Sequence, residues 1–304
     1  MKSPLLFPVR LKDKSIFVLD ETGLPFKEEY IEVSGLDDAL GVLKEMKTRS
    51  LGQVLLFFHC CALFGDRLSV DEISSKFSHQ RPTFDFPLLA EILKAQIKKG
   101  LNITEAVENF INAFDALRRN RAKSLAKILP NPSNILTICN VNGELIYLYE
   151  ELKKLNKECF FYISETRPYL QGARLTFWEL RRNNIPCVLI CDNQIAWLMK
   201  KEKINSVVSG ADRASKKGDI INKIGTYPLA VLAAHFDIPF YALTQYPREI
   251  DINTIEIEER PKEEVFMYLK SDNSRIDAIY PCFDITPNKF VTKSMEIGDF
   301  SEVG

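Results

Sequence analysis

Most of the familiar signatures of nucleotide, metal and membrane chemistry are missing from this chain. No Gly-x-Gly-x-x-Gly follows a strand-like run and no Gly-x-x-x-x-Gly-Lys-Ser/Thr occurs anywhere. That excludes a fingerprint dinucleotide site and a P-loop. His-Glu-x-x-His and Cys-x-x-Cys are absent too, which removes the common zinc arrangements. The 7 cysteines are odd in number and follow no secretory segment, so they predict reduced thiols rather than a disulfide framework. There is also no excess charge. Forty basic against 41 acidic side chains leave −1, so no overall field draws the molecule to nucleic acid or an anionic membrane, and any anionic ligand must be gripped locally. Long apolar runs are lacking: Val54 to Phe64 is the longest, with His59 inside it, well short of the roughly 20 residues that span a bilayer. Near the N-terminus Pro4 and Pro8 bracket Leu5 to Phe7, with Arg10 and Lys12 beyond, which does not read as a signal peptide. The expectation is a cytoplasmic protein without membrane or nucleic-acid partners.

What is present is enough apolar material, 46% of 304 residues, for two cores. Ser15 to Asp20 and Glu29 to Val33 are β-rich runs around Glu21-Thr22-Gly23-Leu24-Pro25, a strand, turn, strand opening. Helical spacing follows in Leu36, Leu40, Leu43 and Met46, in Leu88, Ile92 and Leu93, and in Val107, Phe110, Ile111, Phe114 and Leu117. Pro130-Asn131-Pro132 breaks that texture. It predicts an N-terminal β and helical domain over 1–130 and a second domain over 131–304. In the latter, Ile135 to Cys139, Phe160 to Ile163, Cys187 to Cys191, Ser206 to Ser209 and Pro239 to Leu243 alternate with helical segments. That alternation predicts an α/β fold, a Rossmann-like, doubly wound and mostly parallel sheet.

Ligands of such sheets bind outside the carboxyl ends of the strands. Those ends are polar here: Cys139-Asn140, Ser164-Glu165-Thr166-Arg167-Pro168, Asp192-Asn193, Gly210-Ala211-Asp212-Arg213 and Thr244. Their convergence on one edge predicts a single site. Taken singly, each has a plainer reading. Cys139 is a small buried residue at a strand end, Asp212 a cap for a following helix, Lys223 a solvated helix face, and Arg49 and Arg81 surface charges. His59-Cys60-Cys61 reads as core packing, and Cys187 and Cys191 as residues of an apolar strand.

The stretches Glu165-Thr166-Arg167-Pro168-Tyr169-Leu170-Gln171-Gly172-Ala173-Arg174-Leu175-Thr176, Gly210-Ala211-Asp212-Arg213, Asn222-Lys223-Ile224-Gly225-Thr226-Tyr227, Ile257-Glu258-Glu259-Arg260 and Phe283-Asp284-Ile285-Thr286-Pro287 occur in this order. In sequence and spacing they resemble the methylthioribose-1-phosphate isomerase family. Its superfamily includes ribose-1,5-bisphosphate isomerase and the α, β and δ subunits of the eukaryotic translation-initiation exchange factor. The resemblance implies a cofactor-free, metal-free aldose–ketose isomerase of a sugar phosphate, acting as a homodimer with its site in an inter-domain cleft. It places the catalytic cysteine on Cys139 and the proton-donating aspartate on Asp212. Substrate contacts fall on Arg49, Ser50, Leu51, Arg81, Gln171, Asn222 and Lys223. Two departures stand out. Ser50 replaces a glycine whose backbone closes on the phosphate, and glycine reaches positive φ at little cost. Ile138 replaces a histidine, with Val141-Asn142-Gly143 following Asn140. Ribose-1,5-bisphosphate isomerase and a non-catalytic regulatory subunit remain the alternatives.

The residue types suit the reaction. A sugar phosphorylated on its anomeric oxygen does not open spontaneously, so ring opening needs an acid such as Asp212. Hydrogen then passes from C2 to C1. Cys139 serves as thiolate base beside a cation, or as a thiol in a dry pocket that favours hydride transfer.

Overall fold

The computed structural model describes residues 3–82, 84–245, 251–267 and 277–297. The chain divides into two compact units, one ending at Asn120 and the other spanning Arg121–Ile297.

The first unit opens with an antiparallel sheet of β1 (Val9–Lys12), β2 (Ser15–Leu19) and β3 (Tyr30–Val33), in that order. The second and third strands are legible in the sequence, whereas β1, whose Val9 alone is buried, is not. Helices α1 (Leu36–Lys44), α2 (Leu51–Phe64), α3 (Val70–Gln80), α4 (Phe86–Lys98) and α5 (Ile103–Ile128) follow. α2 is apolar around most of its circumference and is the core of the unit. Phe57 and Phe58 lie edge to face, and Phe77 of α3 and Phe86 of α4 meet Phe57 at 5.5 and 5.6 Å. His59, Cys60 and Cys61 are buried in this helix, and burial pushes His59 down to about 4. They pack the core, as the apolar context predicted. α3 starts on a capping box: Glu72 N–H donates to Ser69 Oγ at 3.2 Å and Ser69 N–H to Glu72 Oε2 at 2.7 Å.

The division between units falls inside α5, ahead of Pro130-Asn131-Pro132. The reason is the bonding of its last turns. Arg121 forms a buried, two-pronged ion pair with Glu144, both bonds 2.6 Å, and Lys157 Nζ donates to the carbonyls of Ala126 and Leu129 at 2.9 and 2.5 Å.

The second unit carries β4 (Ser133–Thr137), α6 (Glu144–Lys154), β5 (Cys159–Ser164), α7 (Trp178–Arg182), β6 (Cys187–Ile190), α8 (Ile195–Lys200), β7 (Ser206–Gly210), β8 (Arg213–Ala214), β9 (Ile220–Lys223), α9 (Thr226–His235), β10 (Phe240–Thr244), β11 (Phe283–Thr286) and β12 (Lys293–Glu296). Six strands pair in parallel in the order β12-β10-β7-β4-β5-β6. Counted along the chain among these six, that is the order of a doubly wound Rossmann sheet read from its far edge. The order reverses between β4 and β7, paired through Ile135↔Ser206 and Leu136↔Val207. Residues such as Leu136, Val207, Ala230 and Ala242 form the core beside it. A second, antiparallel sheet, β11-β9-β8, is built on the segment after β7. The alternation of the sequence did not reveal it.

Candidate active site

The two strands at the switch point end in the residues singled out from sequence. β4 runs into Ile138-Cys139-Asn140 and β7 into Ala211-Asp212. Crevices at this position are where open α/β sheets hold ligands.

Cys139 is partly exposed and sits at φ 63°, a left-handed conformation rare for a residue with a Cβ. Its peptide is clamped at both ends. Thr166 Oγ1 accepts from Cys139 N–H at 2.8 Å and donates to the Ser164 carbonyl at 3.0 Å, while Thr176 Oγ1 donates to the Cys139 carbonyl at 2.5 Å. Both threonines are 1% exposed, so water does not compete for these bonds. Asn140 Nδ2 donates to Thr176 at 3.0 Å, and Asn140 Oδ1 accepts from Asn142 N–H at 2.8 Å. A backbone conformation of this cost persists only when its surroundings over-determine it.

The two threonines come from the segment after β5. Asp192, at the end of β6, accepts from Ser164 Oγ and from the N–H groups of Thr166 and Arg167, the latter two at 2.8 and 2.7 Å. The chain then enters a π-helical turn over Gly172–Phe177, a form concentrated at functional sites. Gly172 is required there because a Cβ would lie 1.7 Å from the Ser164 carbonyl oxygen. Gln171, just before it, is 2% exposed, and its Oε1 has no hydrogen-bond partner among the described residues. Such an acceptor is costly to leave unfilled and suits a ligand hydroxyl.

Asp212 is followed by the short strand β8, so the helix-cap reading is corrected: no helix begins there. Its N–H donates to the Ile221 carbonyl at 2.8 Å, which sets it opposite β9. Asn222 and Lys223 close that strand. Asn222 Nδ2 donates to Ser209 Oγ at 3.1 Å and Thr226 Oγ1 at 2.9 Å, tying β9 to β7 and to the start of α9. Lys223 is 6% exposed, which corrects the reading of it as a solvated helix face. Its Nζ lies 2.8 Å from Cys282 Sγ and 4.7 Å from the Phe283 ring centre. Asp284, opposite Asn222 in the ladder, accepts from the N–H groups of Gly225 and Tyr227 at 2.8 and 3.1 Å. Burial pushes its carboxyl up to about 6, against the pull of those bonds and of Lys223. Two tight approaches connect the strand ends. A Cβ on Gly210 would lie 3.1 Å from Val141, and one on Gly225 3.1 Å from Ile138.

Arg49, Ser50, Leu51 and Arg81 belong to the helical unit. Ser50 precedes α2 at φ 34°, ψ −103°, so it holds a positive φ without being glycine. Leu51 is the buried first residue of α2. Arg81 ends α3, is 5% exposed and directs Nη1 at Met46 Sδ, so it is not the surface charge its residue type suggests. Thr83 of Arg81-Pro82-Thr83 lies outside the described residues.

The clamping roles of Thr166 and Thr176 were not legible in the sequence, although both stand in the Glu165–Thr176 motif. Nor was the place of Cys282 beside Lys223, which only strand pairing brings near. Cys191, expected inside a strand, lies just beyond β6 and is exposed. Among the described residues no group of His, Cys, Asp or Glu could hold a metal ion, and no helix is long and apolar enough to cross a membrane.

The Initiation factor 2 subunit family matches residues 65–300. The chain is 33% identical to a methylthioribose-1-phosphate isomerase of Desulforudis audaxviator over 314 aligned positions, 92% of this chain and 90% of that protein. Two solved structures are similar throughout. A 5-methylthioribose 1-phosphate isomerase from Pyrococcus horikoshii OT3 superposes with TM-score 0.78 at 25% identity, covering 98% of this chain and 94% of that one. The delta subunit of translation initiation factor eIF-2B from A. fulgidus gives TM-score 0.71 at 27% identity, covering 95% and 94%. Fold and family match therefore define the class, the initiation factor 2 subunit family. Within it the chain belongs to the methylthioribose-1-phosphate isomerase family and is an isomerase.

Proposed function

We propose that the substrate is S-methyl-5-thioribose 1-phosphate, converted to S-methyl-5-thioribulose 1-phosphate by a cytoplasmic homodimer. The observation that carries this reading is the placement of Cys139 and Asp212 directly after the two strands at the switch point, in a chain whose relatives of similar length bear that enzyme's name. In the proposed reaction Asp212 protonates the ring oxygen and opens the sugar. Hydrogen moves from C2 to C1 beside Cys139, whose clamped peptide fixes where the sulfur stands. Gln171 supplies an open acceptor to a sugar hydroxyl. Lys223 supplies the donor contact that strengthens as charge develops on a substrate oxygen, as a buried cation with a thiol and an aromatic face beside it, and Asn222, whose Nδ2 is held by Ser209 and Thr226, offers its Oδ1 to a sugar hydroxyl. The contacts that the resemblance assigns to the phosphate, Arg49, Ser50, Leu51 and Arg81, belong to the same proposal.

The decisive assay incubates the purified protein with methylthioribose 1-phosphate, 5-deoxyribose 1-phosphate and ribose 1,5-bisphosphate and looks for ketose product. The expected order of kcat/KM is methylthioribose 1-phosphate first and ribose 1,5-bisphosphate last. Preferred turnover of the bisphosphate would transfer the assignment to that isomerase.

A further inference from the structure

A buried carboxylate in the helical unit has no role in the chemistry above. Glu21 follows β2 and is 1% exposed. Its Oε1 accepts from Thr48 Oγ1 at 2.7 Å and from Arg49 N–H at 3.2 Å, and its own N–H donates to the Lys47 carbonyl at 2.7 Å. Oε2 is buried with no hydrogen-bond partner among the described residues. The neighbouring Asp20 holds Lys47 Nζ at 3.2 Å. From the other side Gln53 Nε2 donates to the Thr48 carbonyl at 3.0 Å. Gly52 leaves the space that the Thr48 hydroxyl fills, since a Cβ there would lie 1.7 Å from it. Every one of these contacts converges on the three residues before Ser50, the residue at positive φ that precedes α2.

A core acid is expensive, and burial pushes this one up against the pull of Arg49 and of its two hydrogen bonds. A turn that needed only to connect α1 to α2 would not require it. We propose that Glu21 is a positioning residue for substrate binding: it fixes the Thr48-Arg49-Ser50 backbone so that Arg49 and the first turn of α2 meet the phosphate in one geometry. The inference rests on the phosphate reading of Arg49, Ser50 and Leu51. Glu21 itself touches no substrate and acts through the turn.

Steady-state kinetics with methylthioribose 1-phosphate, on Glu21→Ala, Glu21→Gln and Arg49→Ala, tests it. Glu21→Ala should raise KM by at least about tenfold while kcat stays within about twofold, because a uniform binding contact is misplaced rather than the reacting groups. Glu21→Gln keeps an acceptor oxygen for both donors and should restore KM to within about threefold of wild type. A merely structural role would lower the folded fraction, and with it apparent kcat, at unchanged KM. That pattern overturns the proposal. If Glu21→Ala does not fold, Glu21→Asp decides: its withdrawn carboxylate should raise KM, and an unchanged KM overturns the proposal. An Arg49→Ala variant with normal KM would remove the phosphate reading of this turn, and the role of Glu21 with it. A raised KM in Arg49→Ala beside a normal one in Glu21→Ala would remove the role of Glu21 alone.

Discussion

The two units bury polar groups in different ways. In the sheet unit many of the buried polar side chains near the switch point are tied to neighbouring side chains and peptides: Thr166 and Thr176 to the Cys139 peptide, Asn222 to Ser209 and Thr226, and Arg121 to Glu144 and to the Thr244 carbonyl. In the helical unit a cluster of phenylalanines packs around α2, and the buried acid Glu21, with Gln53 and the Asp20–Lys47 pair, holds one turn. The difference teaches where precision originates. A parallel sheet brings strand ends to one edge whatever the side chains are, so a network there needs only short reaches. A helical unit has no such edge, and each functional turn must be held by its own contacts.

That contrast can be broken experimentally. The largest stability effect should come from Arg121→Ala, which leaves Glu144 buried without its two-pronged partner. Chemical unfolding should show a loss of about 3–5 kcal/mol, and a loss near zero would mean that the sheet-edge network is slack. Next come Cys139→Ala and Asp212→Asn, each expected to reduce turnover at least about a hundredfold, or about 2.7 kcal/mol, with the melting temperature little changed. Near-normal turnover in either would remove that residue from the mechanism. Arg81→Ala probes the other unit. Calorimetric titration with methylthioribose 1-phosphate should show affinity weakened by about 2 kcal/mol if a charge-assisted phosphate contact is lost, whereas equal affinities would leave the phosphate to other residues.

The smallest effect concerns Asp284. Its carboxyl is raised from 3.8 to about 6 in the fold, chiefly by burial. An acid with a raised folded-state pKa binds more protons when folded than when unfolded between those two values. It therefore stabilises the fold fully below about 3.8, and that contribution is lost as pH rises through about 6. Asp284→Asn should flatten this part of the stability profile, measured as melting temperature against pH. An identical slope in the variant would mean that another group titrates there.

Legibility differed along the same divide. Strand-like runs and polar strand ends marked the sheet in the sequence, because burial on both faces makes each parallel strand a compact apolar segment. Lys223 shows the limit. By residue type it reads as solvated, and only the β9–β11 pairing, with Phe283 opposite Lys223, reveals a buried cation beside Cys282. Arg81 was misjudged for the same reason, its burial depending on how the end of α3 packs.

By itself the sequence determined the alternation of elements, the polar carboxyl edge and the motif order that marks the family, because periodicity and local chemistry are written within a few residues of each position. Only the tertiary structure decided which two strands flank the switch point, that Cys139 is held at positive φ by two threonines, and that Glu21 grips the turn before α2. Those facts join residues 27 or more positions apart, and pairings at that separation depend on strand order and packing that no local pattern encodes.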